Sequence, residues 1–248
     1  MGYKPKDDNG FYNGNPLVKA AGAKHEFTLE EINELKKCIS DPAYFINNFV
    51  KITSIDKGVV LFKLHPYQKR IIDTINENRF TICKLFRQAG KSTVVAAYCL
   101  WYAIFNNNKE VMILANKLNT AKEIFSRVAS MYELLPDFIK PGVKEYNKTS
   151  MTFENGSKVG CQATSASAIR GKSISLIVVD EFAFLGSSLA EEFIASTFPA
   201  LSSSETSKLV LISTPYGLNH FYKIWHDSEQ GNNNFVRVEG KWAEARSD

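Results

Sequence analysis

Hydrophobic and polar positions along this chain change their period near residue 55. Up to about residue 25 the sequence is rich in Gly, Asn, Lys and Pro, has no hydrophobic period, and reads as a loose arm. Thr28-Leu-Glu-Glu31 then has capping-box spacing, and Leu29, Ile32, Leu35 and Ile39 follow at helical intervals. Asp41-Pro42 reads as an N-cap followed by Pro at the first helical position, opening a short helix with Phe45 and Phe49 on one side. Beyond residue 55, apolar runs of strand length alternate with helical stretches. Strands are predicted at 80–86, 111–115, 174–179 and 208–212. Helices are predicted at 92–106, 119–135 and 189–198; the first is apolar nearly all round and so predicted to be buried on most sides. Leu218, Phe221, Tyr222 and Trp225 make one face of a last helix. Segments 149–153 and 158–161 flank Asn155-Gly156, a strong hairpin signal.

Alternating strands and helices predict a mostly parallel sheet covered on both faces. A length of 248 residues suits one α/β core with a small appendage. The predicted partition is an N-terminal arm and helical subdomain at 1–55, a core at 56–228, and a tail or linker at 229–248. No internal repeat is visible, and the Asn runs at 106–108 and 232–234 read as loops.

Composition narrows the class. Apolar residues make up 44% and charged residues 23%, which excludes wholesale disorder. A net charge of +4 permits a nucleic-acid partner without demanding one. Cys38, Cys83, Cys99 and Cys161 show no CxxC spacing, and the histidines are scattered, so neither a zinc site nor a disulfide framework is expected. The longest strongly apolar run, Val94 to Phe105, is shorter than the ~18 residues of a membrane span. The N-terminus lacks the apolar region of a signal peptide. The expectation is a soluble intracellular protein.

Chemistry concentrates in a few motifs. Arg87-Gln88-Ala89-Gly90-Lys91-Ser92-Thr93 lies directly after a predicted strand and opens a predicted helix, the context a phosphate-binding loop requires. Backbone N–H groups at a helix N-terminus aim at phosphates, Gly90 allows close approach, Lys91 reaches the β/γ-phosphates, and Ser92 offers a hydroxyl to Mg²⁺. Leu85 stands where the first Gly of a full Walker A motif belongs, and Gly-Lys-Ser alone is a common loop tripeptide. The second motif, Leu176-Ile-Val-Val-Asp180-Glu181, is an apolar strand ending in two carboxylates, a Walker B arrangement. Asp180 would hold Mg²⁺ through water and Glu181 would polarise the attacking water. Upstream, Tyr67-Gln68 offers an amide that can pair with the N6/N7 edge of adenine and a ring to pack on the base. Ser213-Thr214-Pro215 at the end of a core strand reads either as a γ-phosphate sensor or as turn chemistry. Arg87 and Arg170 are candidate arginine fingers; Arg170 reads equally as a loop charge or a nucleic-acid phosphate contact. Lys140, Lys144 and Lys148 read as a solvated face.

Together these residues resemble the ATPase domain of the large terminase subunit of tailed bacteriophages, especially its T-even-like branch. The resemblance runs from about Asp41 to about Trp242. Its most specific strings are Arg87-Gln88-x-Gly90-Lys91 and Ser213-Thr214-Pro-x-Gly-Leu-Asn-His-Phe-Tyr-x-Ile-Trp225. It implies a RecA-like P-loop NTPase fold of the ASCE type with ATP and Mg²⁺ as ligands. Within it, Gln68 falls in the adenine motif, Lys91, Ser92 and Asp180 bind ATP and Mg²⁺, and Glu181 is catalytic. Ser213 and Thr214 fall in the motif coupling hydrolysis to movement. Arg87 matches an arginine acting in cis, and Arg170 a finger donated in trans by a neighbouring subunit. The implied partners are double-stranded DNA, a portal protein and a small terminase subunit. The implied assembly is a homo-oligomeric ring at the procapsid portal in the bacterial cytoplasm, with a monomer as the alternative state in isolation. The family's large subunit normally carries an RNase H-like nuclease domain; no acidic constellation follows the last motif here, so ATP hydrolysis without DNA cleavage is expected. Two other readings share parts of the pattern: the first RecA-like domain of a helicase or restriction-type translocase, and a non-hydrolysing nucleotide-dependent adaptor. Leu218 to Trp225 argues against the first and Glu181 against the second.

Overall fold

In the computed structural model the described residues are 10–54, 56–165, 167–169, 171–202 and 204–245. The chain opens with a hairpin, β1 (Phe11–Tyr12) and β2 (Asn15–Lys19), followed by helices α1 (Leu29–Ser40) and α2 (Pro42–Phe49). A second hairpin, β3 (Lys51–Ser54) and β4 (Gly58–Leu61), precedes α3 (Pro66–Glu77). Next come β5 (Phe80–Leu85), α4 (Lys91–Phe105), β6 (Glu110–Ala115) and α5 (Leu118–Glu133). Strands β7 (Val143–Tyr146), β8 (Ser150–Phe153) and β9 (Lys158–Ala163) follow, then β10 (Leu176–Asp180) and a 3-10 turn at Phe182–Phe184. The chain closes with α6 (Ser187–Ser202), β11 (Lys208–Ser213), α7 (His220–Glu229), β12 (Val236–Gly240) and a turn at Trp242–Ala245.

One eight-stranded sheet in the order β12-β5-β11-β10-β6-β9-β8-β7 organises the molecule. Every pairing from β12 to β9 is parallel, and β8 and β7 continue it antiparallel. The near-continuous apolar strands explain the double-sided burial, because alternate residues feed two cores. Cys83, Leu85, Val178 and Val210 join the cluster under α2 to α5, whereas Ile82, Val179, Leu209 and Leu211 join the one under α6 and α7. The predicted hairpin forms at Gly156 (φ +81°), and Asn155 Nδ2 donates to the carbonyls of Ala103, Ile104 and Asn106, closing the C-terminus of α4.

Several expectations are corrected. Within the predicted loose arm to about residue 25, residues 11–19 form a hairpin, with Val18, Ala20 and Ala21 buried, and residues 23–25 are irregular; residues 1–9 lie outside the described residues. The capping box of α1 forms, but of its predicted stripe only Leu35 packs against the core: Leu29 is 80% and Ile39 54% exposed, Ile32 is exposed as well, and Cys38 is the buried residue of α1. Across the expected boundary at 55/56, Cys38, Phe45, Ile46 and Val50 share one cluster with α4. The predicted tail contributes β12, paired in parallel with β5 through Val236↔Thr81 to Gly240↔Leu85. Leu218 lies outside α7 and is 85% exposed; Asn219 caps the helix, and Phe221 and Trp225 are its buried residues. Lys140 is buried, not solvated: its ammonium donates to the carbonyls of Leu17 and Glu133, and burial lowers its pKa.

Candidate active site

In the parallel sheet, β11 separates the strand that leads into the phosphate loop from the strand that ends in carboxylates. The register sets Ser213 beside Lys84 and Ile212 beside Asp180, so β5, β11 and β10 end side by side. Crevices at such strand ends are where open α/β sheets bind ligands.

The loop between β5 and α4 has Gln88 (φ +63°) and Gly90 (φ +68°) in the left-handed region. That conformation costs an L-residue ~1–2 kcal/mol, so Gln88 is held there by its surroundings. Gly90 is required for a second reason. A Cβ on it would stand 2.9 Å from Gln68 Nε2. The Gly90 carbonyl accepts from Thr93 and Val94 N–H at 3.0 Å, starting α4 directly after the loop. From the other side, Tyr67 Oη donates to the Ala89 carbonyl at 2.9 Å and Gln68 Nε2 donates to the same carbonyl at 3.2 Å.

In the structure Tyr67 and Gln68 both turn toward the loop. Both are buried, the Gln68 Oε1 accepts from His65 N–H at 3.0 Å, and its Nε2 is held by Ala89 and the Tyr67 hydroxyl. In the structure the amide braces the loop. Tyr67 packs against Phe86 and His65, with ring centroids 5.7 and 5.8 Å away. A cleft of about 890 Å³ lies alongside, between the β3–β4 hairpin and the loop, lined by Ile52, Phe62, Tyr67, Gln68, Gly90 and Thr93 among others.

Across the strand ends, Ser92 Oγ donates to Asp180 Oδ2 at 2.7 Å, and Glu181 N–H donates to Asp180 Oδ1 at 2.9 Å. Asp180 is 2% exposed. Burial raises its pKa above the ordinary 3.8, partly opposed by the charge of Lys91 and the Ser92 hydrogen bond. A buried carboxylate beside a hydroxyl is a hard oxygen pair suited to Mg²⁺, which usually takes one or two carboxylates plus phosphates and water. Among the described residues there is no cluster of three or more His, Cys, Asp or Glu that could hold a metal ion. Glu181 is left-handed (φ +55°), and its Oε1 lies 3.7 Å from Lys91 Nζ. Ser213 Oγ accepts from Ala183 N–H at 3.2 Å and donates to the Thr214 carbonyl at 3.0 Å, so Ser213 touches the turn after Glu181 directly.

Arg87 is exposed and has no partner among the described residues, while Arg170 lies outside them. Sequence reasoning missed Arg127: from α5 its Nη1 approaches Thr93 Oγ1 at 3.4 Å, beside a 230 Å³ cavity that Lys51, Thr93 and Ser130 also line. Nothing local in the sequence marks it, because α5 and the loop meet only through the fold.

The strand order and the loop together define a RecA-like P-loop NTPase domain. The family model "Terminase large subunit, T4likevirus-type, N-terminal" matches residues 83–246, and the chain belongs to that family. Similar solved structures include the HK97 bacteriophage large terminase, at 18% identity and TM-score 0.68, covering 81% of this chain and 43% of that one. The Thermus phage P74-26 large terminase ATPase domain aligns at 20% identity and TM-score 0.59, over 74% of this chain and 84% of that one. A large terminase from a thermophilic bacteriophage in complex with ADP aligns at 15% identity and TM-score 0.58, over 75% and 47%. The chain thus spans less than half the length of the HK97 protein. Family membership favours the terminase reading over a helicase.

Proposed function

We propose that this chain is a motor ATPase that hydrolyses ATP to drive double-stranded DNA into a viral procapsid. The observation that carries the reading is the meeting of Ser92, Asp180, Lys91 and Glu181 at the strand ends, with Ser92 bonded to Asp180 at 2.7 Å and Lys91 3.7 Å from Glu181. The β- and γ-phosphates lie on the N–H groups opening α4, where the helix dipole favours anions. Lys91 leaves Glu181 for the γ-phosphate. Ser92 and Asp180 hold Mg²⁺, which neutralises charge on the phosphate oxygens when bound. Glu181, freed from Lys91, orients a water. The water oxygen bonds to the γ-phosphorus, the bond to the β–γ bridging oxygen breaks, and the water proton passes to the carboxylate. The base occupies the cleft between the β3–β4 hairpin and the loop, and Gln68 acts on it through the loop it braces.

The unpartnered guanidinium of Arg87 supports a role in cis on the nucleotide; Arg170 is the rival, acting in trans. The family resemblance supports, as part of the same proposal, assembly as a homo-oligomeric ring with a portal protein and a small terminase subunit as partners in the bacterial cytoplasm. The test is phosphate release by the wild-type chain at several protein concentrations, with and without duplex DNA. Turnover that DNA stimulates and Lys91→Ala abolishes is expected; no ATP turnover under any of these conditions would refute the motor. If Arg170 acts in trans, mixing Arg170→Ala with Glu181→Ala chains restores activity, and no rescue at any ratio leaves the role to Arg87.

A further inference from the structure

Two side chains that the nucleotide site does not use hold the backbone that aims Glu181. Glu181 sits in the left-handed region and leads into the 3-10 turn at Phe182–Phe184. A conformation of that kind persists only where its neighbours over-determine it. Here the neighbours come mainly from the first residues of α7 and the loop before it. His220 Nε2 lies 2.8 Å from the Phe182 carbonyl, and since a carbonyl only accepts, Nε2 is the donor. Asn219 Nδ2 donates to the Ala183 carbonyl at 2.7 Å and to the Tyr216 carbonyl at 2.8 Å. The His220 ring stands edge-on to Phe182 with centroids 4.9 Å apart, and Phe184 stacks on Tyr216 at 4.7 Å. His220 Nδ1 is buried without a partner, so the ring's polar tie is the one to Phe182. Asn219 does a second job with its other atom: Oδ1 accepts from Phe221 and Tyr222 N–H and caps α7. One side chain therefore ties the catalytic turn to the start of a helix.

We propose that Asn219 and His220 are positioning residues for Glu181, and that they transmit any displacement of the 181–184 turn into α7. The inference rests on the hydrolysis reading above. Glu181 cannot change its backbone without moving the carbonyls of Phe182 and Ala183, and both are gripped by the helix start. Ser213 reaches the same turn only through the Ala183 N–H, so α7 has the closer hold on the peptide oxygens.

The substitutions separate capping from gripping. Asn219→Asp keeps an acceptor to cap α7 and removes the donor to Ala183. His220→Phe keeps the ring edge on Phe182 and removes the donor, and His220→Gln restores a donor of similar reach. Steady-state ATPase kinetics, ATP affinity, melting temperature and hydrogen exchange are measured on each. Misaiming a reacting group by a fraction of an ångström to an ångström is expected to lower kcat at least ~10-fold in Asn219→Asp and His220→Phe, with ATP affinity within about twofold of wild type. His220→Gln recovers most of the loss. ATP slows exchange at both 181–185 and 219–224 in the wild type, and at 181–185 alone in Asn219→Asp. Wild-type kcat in both donor-deleted variants overturns the proposal. So does a parallel fall of kcat, affinity and melting temperature that His220→Gln does not rescue. If the wild type binds ATP without hydrolysing it, the hydrolysis reading fails and the exchange response alone decides the positioning role. If it binds no ATP, both fall.

Discussion

Gly90 shows how tightly single residues are constrained at this site. Its φ of +68° and the 2.9 Å approach of Gln68 Nε2 to its virtual Cβ make two separate demands on one position. Gly90→Ala is expected to destabilise the chain by about 1–2 kcal/mol from backbone strain alone, read from the denaturant midpoint. Combining it with Gln68→Ala should recover the steric part of the cost, and strict additivity in that cycle would show that the two residues do not meet. Asp180 makes the opposite trade. Burial raises its pKa, so between the ordinary 3.8 and its raised value the folded chain keeps a proton that the unfolded chain has released. Stability contributed by Asp180 is therefore present below that window and lost as pH rises through it. Asp180→Asn is expected to raise the melting temperature of the nucleotide-free chain at neutral pH and to abolish turnover. The gain should shrink as the pH falls into the window; a lower melting temperature at neutral pH would contradict it. The identities of these residues were legible in the sequence, because Gly-Lys-Ser and Asp-Glu sit at fixed places relative to strands and helices. Their partners were not. That Gln68 grips Ala89, or that Arg127 meets Thr93, depends on chain segments brought together only by folding.

Elements with strong local patterns were read close to their observed limits. The all-apolar α4, the capping box before α1 and the Asn155-Gly156 hairpin each carry their signal within a few residues. Elements that escaped are short, half-polar and paired over long distances. β12 alternates Val236 and Val238 with Arg237 and Glu239, sits at the sheet edge, and acquires its identity from pairing with β5. The start of α7 was misplaced because Leu218 fits the helical period, whereas the Asn219 side chain sets the boundary by capping Phe221 and Tyr222. Asn155 illustrates what an element end is worth. Its amide caps the C-terminus of α4 while its loop turns β8 into β9. Asn155→Ala is expected to cost about 1–3 kcal/mol by leaving those carbonyls without their donor, measured by thermal or urea unfolding. A change under half a kcal/mol would mean that water replaces the amide.

At the scale of the molecule, the sheet order does the decisive work. Placing β11 between β5 and β10 sets Ser213 between the phosphate loop and the carboxylates, and hangs α7 on the turn that follows Glu181. The fold class and the double-sided sheet were legible from alternating strands and helices, but not the strand order, which no local pattern records. The N-terminal helices, expected as an appendage, share the core of α4 and so steady the helix that carries Lys91 and Ser92. The central claim is that this arrangement binds ATP and cleaves it with Glu181. The most direct measurement compares Glu181→Gln with the wild type for ATP affinity and for phosphate release in Mg²⁺. The Lys91–Glu181 contact is partly exposed, so losing it should barely change folding or binding. ATP affinity within a few-fold of wild type together with a loss of turnover of ~100-fold or more is expected. Phosphate release near the wild-type rate from Glu181→Gln would contradict the account.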